Sequence, residues 1–180
     1  MKKIKSSISQ KAFTLIELLI VIGILAILIV TVLVAINPAE AQRKARDAKR
    51  LKDSQTLNSI VGQAVNDGIV TAGCLTSAAG CRAATAGALQ SQSCTANWLQ
   101  INTCAYAGVV PVDPNNGIVR TFVTGAAGTT AATAGYEARI LGSDYEIRVR
   151  QESPANRASV NADGGDDPDW AEVGTLLTIL

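Results

Sequence analysis

The chain has 180 residues, of which 16 are lysine or arginine and 15 are acidic, so its formal net charge is +1. It contains no histidine, which excludes Cys-His and Ser-His nucleophilic machinery and any metal site built on imidazole. For this reason we do not expect an enzyme. Aromatic residues make up only 4%, so we expect a thin core of Val, Ile, Leu and Ala.

Residues 1–36 combine a basic leader with a long apolar segment. Residues 18–36 read LLIVIGILAILIVTVLVAI, and a helix of this length, at ~1.5 Å per residue, reaches roughly 28 Å and crosses a bilayer core. The first twelve residues contain no acidic residue and carry Lys2, Lys3, Lys5 and Lys11. This charge bias predicts a single-pass topology with the N-terminus in the cytoplasm and the rest of the chain outside.

A small residue comes before the apolar segment, whereas a secretory signal has its cleavage site after it. Ala12 is followed by Phe-Thr-Leu-Ile-Glu, which ends at Glu17. This order resembles the type IV prepilins and the related pseudopilins of type II secretion systems. The resemblance implies cleavage between Ala12 and Phe13 by a prepilin peptidase, and N-methylation of Phe13. Most members of the family carry glycine where this chain has Ala12.

The resemblance also implies a fold and a division of the chain. The fold is α+β, with a long N-terminal helix packed on the small antiparallel sheet of a head. Residues 1–12 are then a removable leader and residues 13–36 a transmembrane and filament-core helix. An amphipathic stem helix at residues 37–67, a cysteine-containing variable loop at residues 68–105 and a β-sheet head at residues 106–180 follow.

Glu17 lies in the first turn of the apolar helix. A carboxylate inside a membrane costs on the order of 2 to 3 kcal/mol and is a functional candidate by default. We hypothesise that Glu17 pairs with the N-terminal ammonium of Phe13 of an adjacent subunit and so sets the register of a filament. The alternative is that its side chain extends to the lipid headgroups.

The stem begins at Asn37-Pro38. A proline inside a helix removes one hydrogen bond and clashes with the preceding turn, which predicts a kink at Pro38. Equally open is that one helix ends at Ile36 and a second begins with Pro38 as its first residue. The stem should end near Asn66-Asp67-Gly68. The head should pack against apolar residues at helical spacing on the stem: Leu57, Ile60, Val61, Ala64 and Val65.

Upstream of these apolar residues the stem is strongly charged. Opposite charges four residues apart predict the pairs Glu40–Lys44, Arg43–Asp47 and Lys49–Asp53. We interpret the basic residues as a solvated or inter-subunit face, with contact with lipid phosphate and DNA capture as alternatives. Nucleic acid is not an expected partner, because no aromatic residues are interleaved among them. The basic cluster comprises Arg43, Lys44, Arg46, Lys49, Arg50 and Lys52.

Four cysteines, an even number, lie in the part of the chain that is expected to be exported, which favours disulfides. Short loops close most easily, so among three possible connectivities we favour Cys74–Cys81 and Cys94–Cys104. A four-cysteine zinc site and free thiols are the alternatives. The surrounding loop is rich in Ala, Ser, Thr and Gly, with a short helix expected at residues 96–101.

The head should contain a β-prone run at residues 106–112 and strands at residues 118–124, 136–141 and 145–150. A Gly/Thr/Ala loop is expected between the strands at 118–124 and 136–141. Residues 145–150 alternate between apolar and charged side chains, which predicts one core face and one solvent face. Trp170 should enter the core or an interface.

A loop near the end of the chain groups Asp163, Asp166, Asp167 and Asp169. Several carboxylates close together offer the oxygen ligands that Ca²⁺ needs. Resemblance to major pseudopilins, some of which hold calcium in a loop of the sheet region, also favours calcium here, and a solvated turn is the alternative. No other cofactor is expected.

These features predict a structural subunit of a type IV pilus, used for adhesion, motility or uptake. The alternatives are a pseudopilin of a type II secretion system, a DNA-uptake (competence) pilin, and a membrane anchor carrying an unrelated domain. Expected partners are further copies of the chain, the prepilin peptidase and methyltransferase, and membrane lipid before assembly. An inner-membrane assembly platform with its ATPase is also expected, because the sequence has no G-x-x-x-x-G-K-[ST] motif. The subunit should move from the cytoplasmic membrane to a surface filament.

Overall fold

The computed structural model shows an α+β chain that divides into two compact units, Met1–Ala41 and Gln42–Leu180. Helix α1 spans Leu15–Ile36 and helix α2 spans Pro38–Asn66. The structure describes residues 13–69, 81–82, 92–95, 97–99, 101–141 and 143–178.

The second unit adds strands and two short helical turns. A 3-10 turn at Pro154–Asn156 runs directly into helix α3, Arg157–Val160. The strands are β1 (Cys81–Arg82), β2 (Val119–Val123), β3 (Thr129–Thr133), β4 (Tyr136–Leu141), β5 (Asp144–Val149) and β6 (Ala171–Gly174).

The strands form two antiparallel sheets. The larger sheet has the order β1-β4-β5-β6, and β2 and β3 form a separate two-stranded sheet. Strands β4 and β5 form a hairpin in which Leu141 is opposite Asp144 and Tyr136 is opposite Val149. Strand β6 pairs with β5 so that Glu172 lies opposite Arg148. These small antiparallel sheets after two helices make the pilin-like α+β arrangement that the sequence predicts.

One face of the larger sheet and one stripe of α2 form the core of the second unit. Leu57, Ile60, Val61 and Ala64 of the predicted stripe are buried, and Val65 is partly buried against them. Their i, i+3, i+4, i+7 spacing places them on one side of the helix. From the rest of the unit the core receives Trp98, Leu99, Ile101, Val110, Tyr136, Ala138, Ile140, Tyr145, Ile147, Val149, Val160 and Ala171.

Helix α2 ends where the sequence indicates. Gly68 has a left-handed backbone with φ 65°, its amide donates to the Val65 carbonyl at 3.0 Å, and the Ile69 amide donates to the Ala64 carbonyl at 3.0 Å. This Schellman pair satisfies two carbonyls of the last turn, and glycine accommodates the positive φ without a Cβ clash.

The prediction of a solvent face on residues 145–150 was wrong. Tyr145, Ile147 and Val149 are buried in the core, but Glu146 on the opposite face is also buried, at 0% exposure. Residues from the segment before β6 cover that face, and Trp170 lies against Arg148. Alternation identifies the two faces of a strand but does not say what covers the second one.

The residues expected to form a loop between two strands contain strand β3. Thr129, Thr130 and Thr133 are β-branched and suit a pleated strand, which pairs with β2 from Val123↔Thr129 to Val119↔Thr133. The connection is tight, since the Thr124 amide donates to the Gly128 carbonyl at 3.2 Å. High alanine and glycine content concealed this strand in the sequence.

Two further expectations of local structure were wrong within the described residues. Residues 106–112 form no strand: the Tyr106 and Ala107 amides both donate to the Thr103 carbonyl at 2.8 Å, which makes a turn. The described part of residues 96–101 is not helical, and Asn97 forms an isolated bridge with Gln92. Asparagine competes with helix formation here, because its side-chain amide donates to the Ile101 carbonyl at 2.9 Å.

Candidate functional site

The first turn of α1 contains the candidate site at Thr14 and Glu17. The Thr14 hydroxyl accepts a hydrogen bond from the Glu17 amide at 3.3 Å. Glu17 Oε2 accepts hydrogen bonds from the Thr14 amide at 2.9 Å and from the Thr14 hydroxyl at 2.8 Å. This reciprocal capping box satisfies amides that a helix start leaves without partners, and it holds the Glu17 carboxylate at the N-terminal end of α1.

The contact with Thr14 was missed when the sequence was interpreted, because Glu17 was assigned only an ionic partner. The signal was present: a threonine followed three residues later by a glutamate, directly before an apolar run, is the pattern of a capping box. Glu17 therefore stabilises the helix start in addition to any contact that it makes between subunits.

The surface of α1 is apolar and exposed. Leu15–Val34 is long and apolar enough to cross a membrane by length and composition, with a mean hydropathy of 3.1. The exposed fraction of its large side chains reaches 82% at Leu15 and 81% at Val34. The hydroxyl of Thr31, a polar group in this stretch, donates to the Leu28 carbonyl at 2.8 Å. A contiguous apolar surface of this kind is typical of contact with lipid or with other protein chains.

Phe13 stands just before the cap and is 88% exposed. Ala12 lies outside the described residues, so cleavage of the Ala12–Phe13 bond stays a prediction. The position of Phe13, next to Thr14 and ahead of the first helical turn, keeps it accessible at the end of α1.

A break separates α1 from α2 at Asn37, which has a left-handed backbone with φ 46°. Pro38 is the first residue of α2, where its missing N–H and fixed φ are tolerated. The Asn37 side-chain oxygen accepts a hydrogen bond from the Glu40 amide at 3.3 Å. Of the two possibilities that the sequence left open at Pro38, the structure has the second, a helix end at Ile36 followed by a new helix start.

Residues 8–33 match the prokaryotic N-terminal methylation motif. This motif is the signature of type IV pilins and pseudopilins. Over this N-terminal segment the chain is similar to type IV pilins and pseudopilins. No curated protein and no solved structure matches it.

The motif carries three consequences for this pilin-like chain. The motif is found in structural subunits and is not the signature of an enzyme family. It implies processing by a prepilin peptidase and assembly into a filament. Together with the apolar α1, it indicates a protein that is first anchored in a membrane and later exposed at the surface.

The basic cluster on α2 is partly internal. Arg43, Lys44, Lys49 and Lys52 are exposed, as a solvated or inter-subunit face predicts, but Arg50 contradicts that interpretation. Arg50 is fully buried and donates to Asp113 at 2.7 and 3.2 Å and to Asp47 at 2.9 Å. It also forms an ion pair with Glu152 at 2.7 Å, and its guanidinium lies 5.3 Å from the centre of the Phe122 ring. Arg50 therefore joins α2 to the rest of the second unit and contributes nothing to a surface for DNA.

The acidic residues of α2 bind the head. Asp47 is buried and accepts hydrogen bonds from the backbone amides of Glu152 and Ser153 at 2.9 and 2.8 Å. Asp53 accepts one from the Tyr136 hydroxyl at 2.8 Å. The sequence predicted that Asp47 and Asp53 pair with Arg43 and Lys49 along the helix, and it did not reveal these contacts. The head contacts α2 from Arg46 onward, well before the apolar stripe.

Glu152 completes this polar network. Arg46 Nε donates to it at 3.1 and 3.2 Å, and Arg50 contacts it as described above. Burial raises the pKa of Glu152, but the hydrogen bonds from Arg46 and Arg50 outweigh burial and lower its pKa below the ordinary value. The carboxylate is therefore held in its ionised form.

The cysteines are partly described. Cys94 and Cys104 form a disulfide with a Cα–Cα distance of 4.7 Å, which is the pairing that the short-loop argument favours. Cys74 lies outside the described residues and the side chain of Cys81 is not described, so their pairing stays a prediction.

The acidic loop does not bring its four aspartates together as a ligand set. Asp163 accepts hydrogen bonds from the Gly165 and Glu172 amides at 3.0 and 2.8 Å, and Asp167 accepts one from the Asp169 amide at 3.0 Å. Asp169 accepts one from the Gly125 amide at 2.8 Å. Three of the four carboxylates thus hold the loop backbone.

The remaining aspartate lies in a different acidic group. Carboxylate oxygens of Asp166, Glu146 and Glu172 lie within 4.8 Å of one another. The two glutamates were missed because each stands in a strand with regular alternation, and no local pattern shows that a loop buries their face.

Proposed function

We propose that this chain is a structural subunit of a type IV pilus, polymerised through α1. The observation that supports this most strongly is the exposed apolar surface of α1 within the methylation motif. Burying such a surface is favourable by roughly 25 cal/mol per Å² relative to water, and identical helices from other subunits supply a matching apolar surface.

Before assembly, the same surface would lie in lipid. The four leader lysines and the lack of acids in the first twelve residues favour a cytoplasmic N-terminus, with the second unit on the outer side of the membrane. Extraction from lipid into a filament needs an assembly platform with an ATPase, which we propose as a partner. The peptidase and methyltransferase act first, at the Ala12–Phe13 bond and on the freed amine of Phe13.

Glu17 is proposed to bind the Phe13 ammonium of a neighbouring subunit. Its capping role is compatible with this contact, since a carboxylate has about four acceptor positions on two oxygens and Thr14 uses Oε2 alone. Inside an apolar filament core a charge left unpaired would be strongly unfavourable, so the contact would select the register of neighbouring helices that pairs the two charges.

The first experiment is intact mass and N-terminal sequencing of the chain from cells that carry a prepilin peptidase. A mature chain that begins with N-methylated Phe13 supports the proposal, and a chain that still begins with Met1 contradicts it. Electron microscopy of the same cells then separates the related functions. Surface filaments support a pilus, whereas a short rod confined to the periplasm indicates a secretion pseudopilin.

The Glu17 contact is tested with Glu17→Ala, and Glu40→Gln serves as a matched control outside the apolar helix. We expect processing to continue in both variants and filament yield to fall at least about 10-fold only in Glu17→Ala, which corresponds to the loss of ~1.4 kcal/mol per contact. Equal filament yield from Glu17→Ala and the wild type would show that the pairing does not drive assembly.

A further inference from the structure

Residues of helix α2 and strand β2, with one glutamate, form a small polar pocket in the second unit. Its volume is about 190 Å³. Three arginines and a single carboxylate contribute to its wall, so positive charge is in excess there. The pocket is lined by Arg43, Arg46, Val119, Arg120, Thr121 and Glu152.

Arg120 lies on the side of β2 that faces α2. Successive side chains of a strand point to opposite faces, so Arg120 shares a face with Phe122. The guanidinium of Arg50, a residue of α2, lies 5.3 Å from the centre of the Phe122 ring. Arg120 is half-buried, and its Nε is buried without a hydrogen-bond partner in the described part of the chain. Because buried polar atoms are ordinarily hydrogen-bonded, we expect an acceptor from outside the chain here.

Glu152 does not neutralise this pocket, because its charge is already shared by two arginines. Its carboxylate oxygens accept hydrogen bonds from Arg46 Nε at 3.1 and 3.2 Å, and Arg50 Nη2 lies 2.7 Å from its Oε1. The contact between Glu152 and Arg46 uses Nε and Nη2 of the arginine, whose Nη1 carries two further donors. Arg43 is exposed to solvent and adds another cation to the pocket wall. The pocket therefore keeps a net positive charge.

We propose that Arg43, Arg46 and Arg120 bind one phosphate group, supplied before assembly by the headgroup of a membrane phospholipid. Arginine forks match phosphate oxygens well. The tetrahedral phosphate accepts hydrogen bonds from arginines that approach from both α2 and β2, whereas a planar carboxylate is matched to a single fork. A pocket of about 190 Å³ has the space of roughly six water molecules, which suits a phosphate group and a few ordered waters.

Two observations favour a lipid over a free phosphate ion. Val119 of the pocket wall is 65% exposed and Ile118 beside it is 50% exposed, so apolar side chains adjoin the charged pocket. Arg43 lies in the second turn of α2, which begins at Pro38 shortly after the end of α1. Basic residues that follow a membrane-spanning helix so closely are within reach of lipid phosphates. The choice of a lipid rests on the proposed membrane state of α1, whereas the phosphate site itself does not.

The phosphate site is tested with inorganic phosphate, titrated by calorimetry at constant ionic strength into the full chain in micelles of an uncharged detergent. We expect saturable binding of one phosphate per chain. Arg120→Met should lower the affinity at least about 10-fold, since hydrogen bonds between charged groups are strong. Arg43→Met should also weaken binding, and it changes an exposed residue whose replacement does not threaten folding.

Lys44→Met is the matched control for the loss of one positive charge. Lys44 is exposed on the same helix, next to Arg43, and does not line the pocket. Its replacement should change the affinity for phosphate by less than about 2-fold, because exposed charges outside the pocket contribute little.

The source of the phosphate group is tested by native mass spectrometry of the full chain in micelles that contain phosphatidylglycerol and diacylglycerol with the same acyl chains. Apolar α1 contacts acyl chains in both lipids, so the difference between them reports on the headgroup. The wild type should retain phosphatidylglycerol in preference to diacylglycerol, and Arg120→Met should lose this preference. Equal retention of the two lipids by a wild type that binds inorganic phosphate would reject the lipid and leave a free phosphate compound as the ligand.

Two outcomes would overturn the phosphate site. One is a wild type that binds no phosphate at about 10 mM, or whose affinity falls equally in Lys44→Met and Arg120→Met. The other is Arg120→Met that binds phosphate and phosphatidylglycerol as the wild type does but forms no filaments, which would assign the pocket to an acidic side chain of a neighbouring subunit. Calorimetry in micelles needs neither processing nor filaments, so its failure is distinct from a failure of the pilus proposal, which N-terminal sequencing decides.

Discussion

The two compact units distribute apolar and charged groups in opposite ways. In α1 the exposed side chains are Leu, Ile and Val, whereas the Gln42–Leu180 unit buries carboxylates and a guanidinium. Soluble monomers ordinarily bury the first class and expose the second. The difference indicates that α1 is suited to contact with lipid or with other chains, whereas the second unit provides partners for most of its own buried charges.

Within the second unit the buried charges form two groups of different character. Arg50 and its partners Asp47, Asp113 and Glu152 form a connected network with short hydrogen bonds. The group around Glu172 contains only carboxylates. A network that satisfies its members fixes one packing of helix against sheet. In the all-acidic group, burial and the charge of Glu146 raise the pKa of Glu172 to about 8, which favours its neutral form.

The largest loss of unfolding free energy is expected when Arg50, the arginine of the network, is replaced. Arg50→Met leaves Asp47 and Asp113 buried without their guanidinium partner, which should cost about 3–5 kcal/mol of unfolding free energy. Urea denaturation of the full chain in micelles, followed by the fluorescence of Trp98 and Trp170, measures this loss.

The matched control for Arg50→Met is Lys49→Met, since Lys49 is exposed on the same helix. That variant should change the unfolding free energy by less than about 0.5 kcal/mol. Equal stability of the two variants would mean that the network fixes the packing of α2 but contributes little to the unfolding free energy.

A smaller loss of unfolding free energy is expected when the disulfide is removed. Replacing Cys94 and Cys104 by serine opens a loop with a sequence separation of 10, for which chain entropy gives about 2–3 kcal/mol. The loop should keep its native contacts, because Asn97 binds the Ile101 carbonyl and the Trp98 indole donates to the Pro111 carbonyl at 2.8 Å. An unchanged urea midpoint in the double variant would show that these hydrogen bonds alone hold the loop.

The sequence predicts those parts of the fold that depend on local patterns. The apolar stripe from Leu57 to Val65, the helix end at Gly68 and the hairpin of β4 and β5 are each encoded within a few residues. The same holds for the N-terminus, where the small residue, Phe13 and Glu17 stand next to the apolar run. Short-range geometry decides these features, so a single sequence is sufficient.

The features that the sequence did not reveal depend on distant partners. Arg50 and Asp113 are 63 residues apart, and nothing near Arg50 distinguishes it from the exposed Lys49. Glu146 was placed on a solvent face, because the covering loop comes about twenty residues later in the chain. Strand β3 was missed since it contains two alanines and is flanked by glycines, and both residues are common in loops.

The smallest loss of unfolding free energy is expected from removing the charge of Glu152. Glu152→Gln keeps the shape of the side chain but removes its charge, which should cost about 1–2 kcal/mol near pH 7, the difference between charged and neutral hydrogen bonds to Arg46 and Arg50. Because the folded state lowers the pKa of Glu152 below the ordinary value of 4.5, its charge stabilises the fold fully above that pH. The contribution is lost as the pH falls through the lowered pKa.

The gap in stability between the wild type and Glu152→Gln should therefore be constant from pH 7 to pH 5 and narrow as the pH falls further. Comparing the two proteins at each pH cancels the titration of acids far from Glu152, so the narrowing reports on Glu152 and the carboxylates that share Arg50 with it. A gap that stays constant down to pH 3 would mean that shape, and not charge, determines the contribution of this residue to the network.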